Sequence, residues 1–187
     1  LNLCLEITEP STPDSIASCN LGHLNLKRFV KGKLSDINKD FNLYEFLVQN
    51  YDFDLLGKST RSLVENINKV INFNYYPLDE RDENDNVIKK GKISRPNFQN
   101  RPIGIGVSGL AEVFSMMDIA YDSETSFVLN KMIFACIYYN SILKSVELSK
   151  IHGEYENFRT GESKLFIENE WVTKKGSPMS NGYFQFD

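Results

Sequence analysis

From a cap at Asp122 or Ser123 as far as Gly153 the sequence reads as one long helix. Met132, Ile133, Cys136, Ile137, Tyr139, Ile142, Leu143 and Val146 place apolar groups on more than one side of it. Burial on several faces is the expectation for such a helix. A second helix is predicted upstream, with Asp52 as its N-cap and Phe53, Leu56, Leu63, Val64, Ile67, Val70 and Ile71 recurring at helical spacing. It should end before Asn74-Tyr75-Tyr76-Pro77 and be weakened locally at Gly57. A shorter helix is expected around Leu43 to Val48.

Extended segments frame these helices. Leu1, Leu3, Leu5 and Ile7 alternate with Asn2, Cys4 and Glu6 until Pro10 and Pro13 break the pattern, and a second extended piece runs from Ile16 to Phe29. Arg101 to Val107 reads as a strand or turn, and Leu110 to Met117 as the first turns of a helix. Residues 79–100 hold Asp79, Glu80, Arg81, Asp82, Glu83 and Asp85 with almost no apolar period, which predicts a solvated loop. After Gly153 the chain is turn-rich, with a hairpin expected between Leu165-Phe166-Ile167 and Trp171-Val172. Both ends, at Leu1 and Asp187, read as the middle of a domain.

Overall balance excludes some classes of function. Apolar residues make up 41% and charged residues 25%, enough for one sizeable core, while the net charge of -4 and scattered cations leave no footprint for nucleic acid. No unbroken apolar run approaches the length of a bilayer span and no secretory leader pattern is visible, so neither a membrane nor a nucleic acid is expected as partner. Cys4, Cys19 and Cys136 form neither an even disulfide set nor a zinc spacing, which suits a reducing, cytoplasmic setting without a bound metal.

The first residues bear the densest chemistry. On an extended strand Asn2, Cys4 and Glu6 emerge on one face while Leu1, Leu3, Leu5 and Ile7 anchor the other. An amide, a thiol and a carboxylate could together donate a hydrogen atom, act as base to a hydroxyl and bind a neighbouring oxygen. At about 3.3 Å per residue the outer two lie roughly 13 Å apart in a flat strand, so gripping one small ring requires curvature, as at a loop tip. On spacing alone the commoner reading is a polar strand face with a small thiol.

Asn2-Leu3-Cys4-Leu5-Glu6-Ile7 resembles the finger-loop motif of the large subunit of class I ribonucleotide reductases. Further likenesses follow in order. Ala17-Ser18-Cys19-Asn20-Leu21-Gly22 with Leu24-Asn25-Leu26 resembles the family's second cysteine segment, and Asn66 to Ile71 with Asn74-Tyr75-Tyr76-Pro77 the helix after it. Arg101 to Val107 with Gly109 to Phe114, then Leu129-Asn130-Lys131, Ile133-Phe134, Ile137-Tyr138-Tyr139, and finally Ser177-Pro178, Ser180 and Gly182 are also similar.

This resemblance implies an α/β fold, helix-rich here, forming part of a ten-stranded α/β barrel. Residues 1–187 would be a single partial domain with the finger loop at 1–8 and hydrophilic insertions near 79–100 and 161–175. It implies a ribonucleoside-diphosphate reductase in which Cys4 carries the thiyl radical, Glu6 is base to the 3′ hydroxyl and Asn2 bonds the sugar hydroxyls. Asn2, Leu3, Cys4 and Glu6 would touch substrate. Cys19 would be half of a redox disulfide whose other cysteine lies outside this chain. No cofactor would bind this piece directly: a metal-containing small subunit would supply the radical, and thioredoxin or glutaredoxin the external reductant. The remainder of the large subunit would be required, and the piece alone should be inactive.

Other signals weigh less. Gly104-x-Gly106-x-x-Gly109 matches the dinucleotide fingerprint, yet the region where its acidic strand end should fall is Asp122-Ser123-Glu124, a helix cap. Tight packing of a strand and helix is the preferred reading. Cys136 reads as a small hydrophobe, His152 as a helix C-terminal residue, and Tyr75-Tyr76 and Tyr138-Tyr139 as packing residues. The alternatives that remain are a cobalamin-dependent reductase, a non-catalytic relic and a dinucleotide-binding module.

Overall fold

The computed structural model describes residues 11–33 and 42–158. The finger loop at 1–8, the insertion at 161–175 and the hairpin expected within it lie outside these residues. In chain order come β1 (Asn20–Asn25), a 3-10 turn (Leu26–Phe29), α1 (Leu43–Asn50), α2 (Phe53–Phe73), β2 (Glu80–Arg81) and β3 (Val87–Lys89). Then follow α3 (Ser94–Asn100), β4 (Ile103–Ser108), α4 (Leu110–Met116), α5 (Glu124–His152) and a 3-10 turn at Glu156–Phe158. β1 neighbours β4 in one two-stranded sheet, and β2 pairs antiparallel with β3 in another. Among the described residues this is a helix-rich part of an α/β arrangement with no closed barrel.

Caps set the helix boundaries. The Asp52 carboxylate accepts the Leu55 amide at 3.0 Å and starts α2, while Ser123 Oγ accepts the Ser126 amide at 3.2 Å and starts α5. Asn42 Oδ1 accepts the amides of Tyr44 and Glu45 to start α1. Gly153, at φ +81°, closes α5 with its amide on Ser149 O. Because such caps depend on a few neighbouring residues, the predicted starts of α2 and α5 hold.

Contacts divide the chain into two compact units, one covering 11–22, 64–104 and 146–158, the other 23–33, 42–63 and 105–145. In the second, Leu24, Leu26, Phe29, Phe46, Leu47, Tyr51, Leu56, Val113, Phe114, Met117, Ile119, Leu129, Ile133 and Ile137 form one hydrophobic core. Gly57 has its reason there. A Cβ at Gly57 would lie 2.7 Å from the Asn140 amide, so the glycine allows α2 and α5 to approach closely.

The long helix departs from expectation. Its buried residues are Ser126, Leu129, Ile133 and Ile137, a single stripe at i, i+3, i+7 and i+11, whereas Phe134, Tyr139, Ile142 and Val146 are exposed. Val128, Met132 and Cys136 are partly buried and pack against the same core, so within the described residues one broad face of α5 is covered. By length and mean composition α5 is also apolar enough to cross a membrane, its most apolar window having a mean hydropathy of 1.2, although its unbroken apolar run extends only from Met132 to Tyr139. Insertion of the Leu129–Ile137 stripe into the core is how a core helix of that composition behaves.

Residues 79–100 also differ from the loop expected. They hold the β2–β3 hairpin and α3, which has no apolar period because polar groups hold it. The Asp79 carboxylate accepts the Gly91 amide at 2.7 Å and the Ser94 hydroxyl, and Ser94, Pro96 and Asn97 are buried. The predicted extended piece 16–29 is strand only at 20–25, before turning into a 3-10 coil.

Tyr51 is fully buried between Phe29 and Phe53, and its hydroxyl donates to Leu26 O at 3.1 Å. Burial, with Cys136 adding to it, pushes its phenol well above the ordinary 10.0. An unfolded chain would ionise this group near pH 10 while the folded one keeps it neutral, so the stability it contributes is present below about pH 10 and lost as pH rises further. Tyr51→Phe should cost about 1 kcal/mol at neutral pH and flatten the decline above pH 10, as read by urea denaturation at the two pH values.

Candidate functional site

Of the residues singled out by sequence, Asn2, Leu3, Cys4 and Glu6 lie outside the described residues. Cys19 is within them. It is half-buried at the last position before β1, and the segment leading to it is built from local turns. Thr12 and Ser15 exchange backbone hydrogen bonds of 2.8 and 3.2 Å, the Asp14 amide donates to Thr12 Oγ1, and the Ala17 amide donates to Ser11 Oγ at 3.1 Å. Short polar side chains that bond their own backbone favour such turns, which is what Ser11-Thr12-Pro13-Asp14-Ser15 supplies.

A second segment, 91–102, grips this one. The Ile16 amide donates to Lys92 O at 2.9 Å, Lys92 Nζ donates to Pro13 O at 2.7 Å, and the Arg95 guanidinium donates to Asp14 O at 2.6 Å. On the other side of Cys19, the Asn20 side-chain amide donates to Asn97 Oδ1 at 2.6 Å and to Pro102 O at 3.0 Å. Asn97 donates its own amide to Ile93 O at 3.0 Å. Asn20 is 7% exposed and Asn97 1%, so both carboxamides are held in a dry setting where an unmet polar group is costly.

Arg101 follows α3 in the left-handed region, at φ 48° and ψ 54°, which costs a residue bearing a Cβ. Its guanidinium offsets this by donating to Asn68 O and Oδ1, both at 2.7 Å, and to Asn72 Oδ1 at 3.0 Å on α2. Burial pulls its pKa below the ordinary value. The arginine so fastened fixes where β4 begins, and with it Pro102 O, the acceptor for Asn20.

The discounted signals find structural explanations. A Cβ at Gly106 would lie 2.7 Å from the His23 ring, and Gly109, at φ +81°, opens α4 in a conformation side chains rarely adopt. Strand packing and a turn therefore account for two of the three fingerprint glycines. The Cys136 thiol, half-buried, donates to Phe53 O at 3.4 Å, and burial pushes it above the usual thiol range, where it is a poor nucleophile. Tyr76 packs, its hydroxyl donating to Ile71 O at 3.0 Å, but Tyr75 and Tyr139 are exposed and so are not core residues. Among the described residues no group of three or more His, Cys, Asp or Glu could hold a metal ion.

Sequence reasoning missed Asn97 as a partner of the cysteine segment and Arg101 as the residue bound to α2 next to Pro102. In the sequence Asn20 stands out only as part of the Ala17–Gly22 run. The signal available was thin: Pro96-Asn97 inside a polar stretch resembles a loop, and nothing local announces a partner at Asn20.

Comparison with known proteins bears on the whole chain. Residues 1–187 match the family model described as ribonucleotide reductase, barrel domain. The ribonucleoside-diphosphate reductase large subunit of Plasmodium falciparum (isolate Dd2) is 37% identical over 186 residues, that of Caenorhabditis elegans 34%, and large chain 2 of Saccharomyces cerevisiae 33%. Each alignment covers 100% of this chain but only 18%, 18% and 17% of the relative, so the chain spans less than a fifth of their length.

Proposed function

Because this chain belongs to the ribonucleotide reductase barrel-domain family, we propose that it supplies part of the catalytic barrel of a ribonucleoside-diphosphate reductase large subunit. The observation that carries this is the end-to-end match of residues 1–187 to the family and its relatives; the assignment of Asn2, Cys4, Glu6 and Cys19 rests on the resemblance of their segments to the family's motifs. The complete fold would be a ten-stranded α/β barrel with residues 1–8 as a finger loop reaching its centre. The substrate would be a ribonucleoside diphosphate.

Each residue then has one task. Cys4, as thiyl radical, takes the 3′ hydrogen of the ribose and forms its S–H bond. Glu6 accepts the 3′ hydroxyl proton, Asn2 bonds the sugar hydroxyls, and Leu3 lies against the substrate between them. The 2′ hydroxyl takes a proton and leaves as water; Cys19 and a cysteine elsewhere in the large subunit supply that proton, the hydrogen that replaces the hydroxyl on the 2′ carbon and two electrons in all, ending as a disulfide, and Glu6 returns its proton to the 3′ oxygen. Cys4 finally returns its hydrogen to the 3′ carbon. A metal-containing small subunit supplies the oxidising equivalent when bound, and thioredoxin or glutaredoxin restores the dithiol.

An assay of the full-length polypeptide separates this from a cobalamin-dependent enzyme. Deoxyribonucleotide formation should require a second, metal-containing subunit and be unaffected by adenosylcobalamin. Activity with adenosylcobalamin alone would overturn the class I reading.

A further inference from the structure

Cys19 stands between two anchorages, and both run to the same stretch, 91–102. Before it, Lys92 and Arg95 hold the carbonyls of Pro13 and Asp14, and Lys92 O holds the Ile16 amide. After it, Asn20 is held by Asn97 and Pro102 O. The two anchorages differ in kind. Lys92 and Arg95 are exposed and exchange with water, whereas the Asn20–Asn97 pair is buried, with Pro102 O as a second acceptor for the Asn20 amide.

We propose that the buried Asn20–Asn97 carboxamide pair is a positioning device for the redox thiol, fixing the backbone immediately after Cys19 so that the sulfur meets its partner cysteine in one geometry. The inference rests on the reading of Cys19 as half of a redox disulfide. Disulfide formation needs a narrow geometry, with Cβ atoms within about 4.5 Å, and a chain segment free to wander reaches it only part of the time. Asn97 touches neither substrate nor sulfur in this role. It acts through Asn20 and the start of β1, and is itself oriented by its bond to Ile93 O.

Asn97 is suited to the task in a way an apolar residue is not. Its Oδ1 accepts from Asn20 while its Nδ2 donates to helix α3, so one amide reads both the strand and the helix. A protonated aspartic acid has the same acceptor and donor at nearly the same positions; leucine has the shape and neither function.

The test uses the complete large subunit with its small subunit and compares Asn97→Leu with Asn97→Asp. Three readouts are needed: kcat and KM for a ribonucleoside diphosphate, the alkylation rate of Cys19 by iodoacetamide in the reduced enzyme followed on its own peptide, and the melting temperature. Asn97→Leu should lower kcat by roughly fivefold, the worth of one buried hydrogen bond, leave KM unchanged and speed Cys19 alkylation, while Asn97→Asp restores both near neutral pH or below. A leucine variant with wild-type kcat and alkylation, or an aspartate variant impaired equally at every pH, would overturn the proposal. Should Asn97→Leu fail to fold, the surface double variant Lys92→Ala with Arg95→Ala decides. By removing the two upstream side-chain contacts while leaving the Ile16 amide on Lys92 O, it should leave kcat within about twofold if the buried pair dominates, and a larger fall would overturn that assignment. Cys19→Ser is the control that separates the two layers: if it retains turnover, the redox role of Cys19 fails, whereas lost turnover with an indifferent Asn97→Leu sinks only the positioning device.

Discussion

Cys4→Ser in the complete enzyme is expected to reduce deoxyribonucleotide formation to background, a loss of at least about a thousandfold, as when the group that does the covalent chemistry is removed. The reason is bond strength. An alcohol O–H is much stronger than a thiol S–H, so an oxidant sufficient to make a thiyl at Cys4 cannot make an alkoxyl at a serine in its place. Nothing in the substitution removes the amide of Asn2 or the carboxylate of Glu6, so affinity for the ribonucleoside diphosphate should stay within about twofold. The two outcomes are measured by product formation with a labelled substrate and by equilibrium binding. Turnover retained by the serine variant would sink the assignment of the radical, while lost binding would mean that the sulfur also shapes the site.

Cys19→Ser should be as damaging to product formation but should fail at a later step. Replacing the 2′ hydroxyl by hydrogen consumes two electrons, and a dithiol supplies them by becoming a disulfide. One thiol alone has no disulfide to form. On the proposed division of roles hydrogen abstraction by Cys4 precedes any use of Cys19, so loss of isotope from the 3′ position should continue in this variant while deoxyribonucleotide stays at background. In Cys4→Ser both should stop. That contrast tests the division of roles independently of the overall activity. A serine variant at position 19 that still turns over many times with thioredoxin would remove Cys19 from the redox pair.

Much of the fold could be read from the sequence where short-range physics decides. Asp52 and Ser123 cap α2 and α5 because a side-chain oxygen needs only to reach an amide two or three residues on. The end of α2 before Asn74 follows from the loss of apolar period there. The same logic failed for α3, since its stability comes from Asp79 reaching Gly91 and Ser94, and from Pro96 and Asn97 being buried, neither of which leaves a periodic trace. It also overstated α5. Apolar groups around its circumference imply burial on several faces, yet within the described residues the fully buried apolar side chains form one stripe, Leu129–Ile133–Ile137, flanked by the partly buried Val128, Met132 and Cys136.

The candidate site divides in the same way. The residues proposed to carry the chemistry, Asn2, Cys4 and Glu6 at period two and Cys19 in its own segment, are singled out by resemblance along the chain, since their spacing alone favours a polar strand face. Family membership follows from the same linear pattern, because a match of residues in order is a property of sequence alone. Only the tertiary structure decided how the Cys19 segment is held. Asn20 and Asn97 are 77 positions apart, and Arg101 takes a left-handed conformation sustained by Asn68 and Asn72 on another helix. Local propensity acts over three or four residues, whereas a buried amide takes whichever partner the folded chain brings within about 3 Å of it. For the cysteine segment that partner is Asn97, in a polar stretch whose composition predicted solvent.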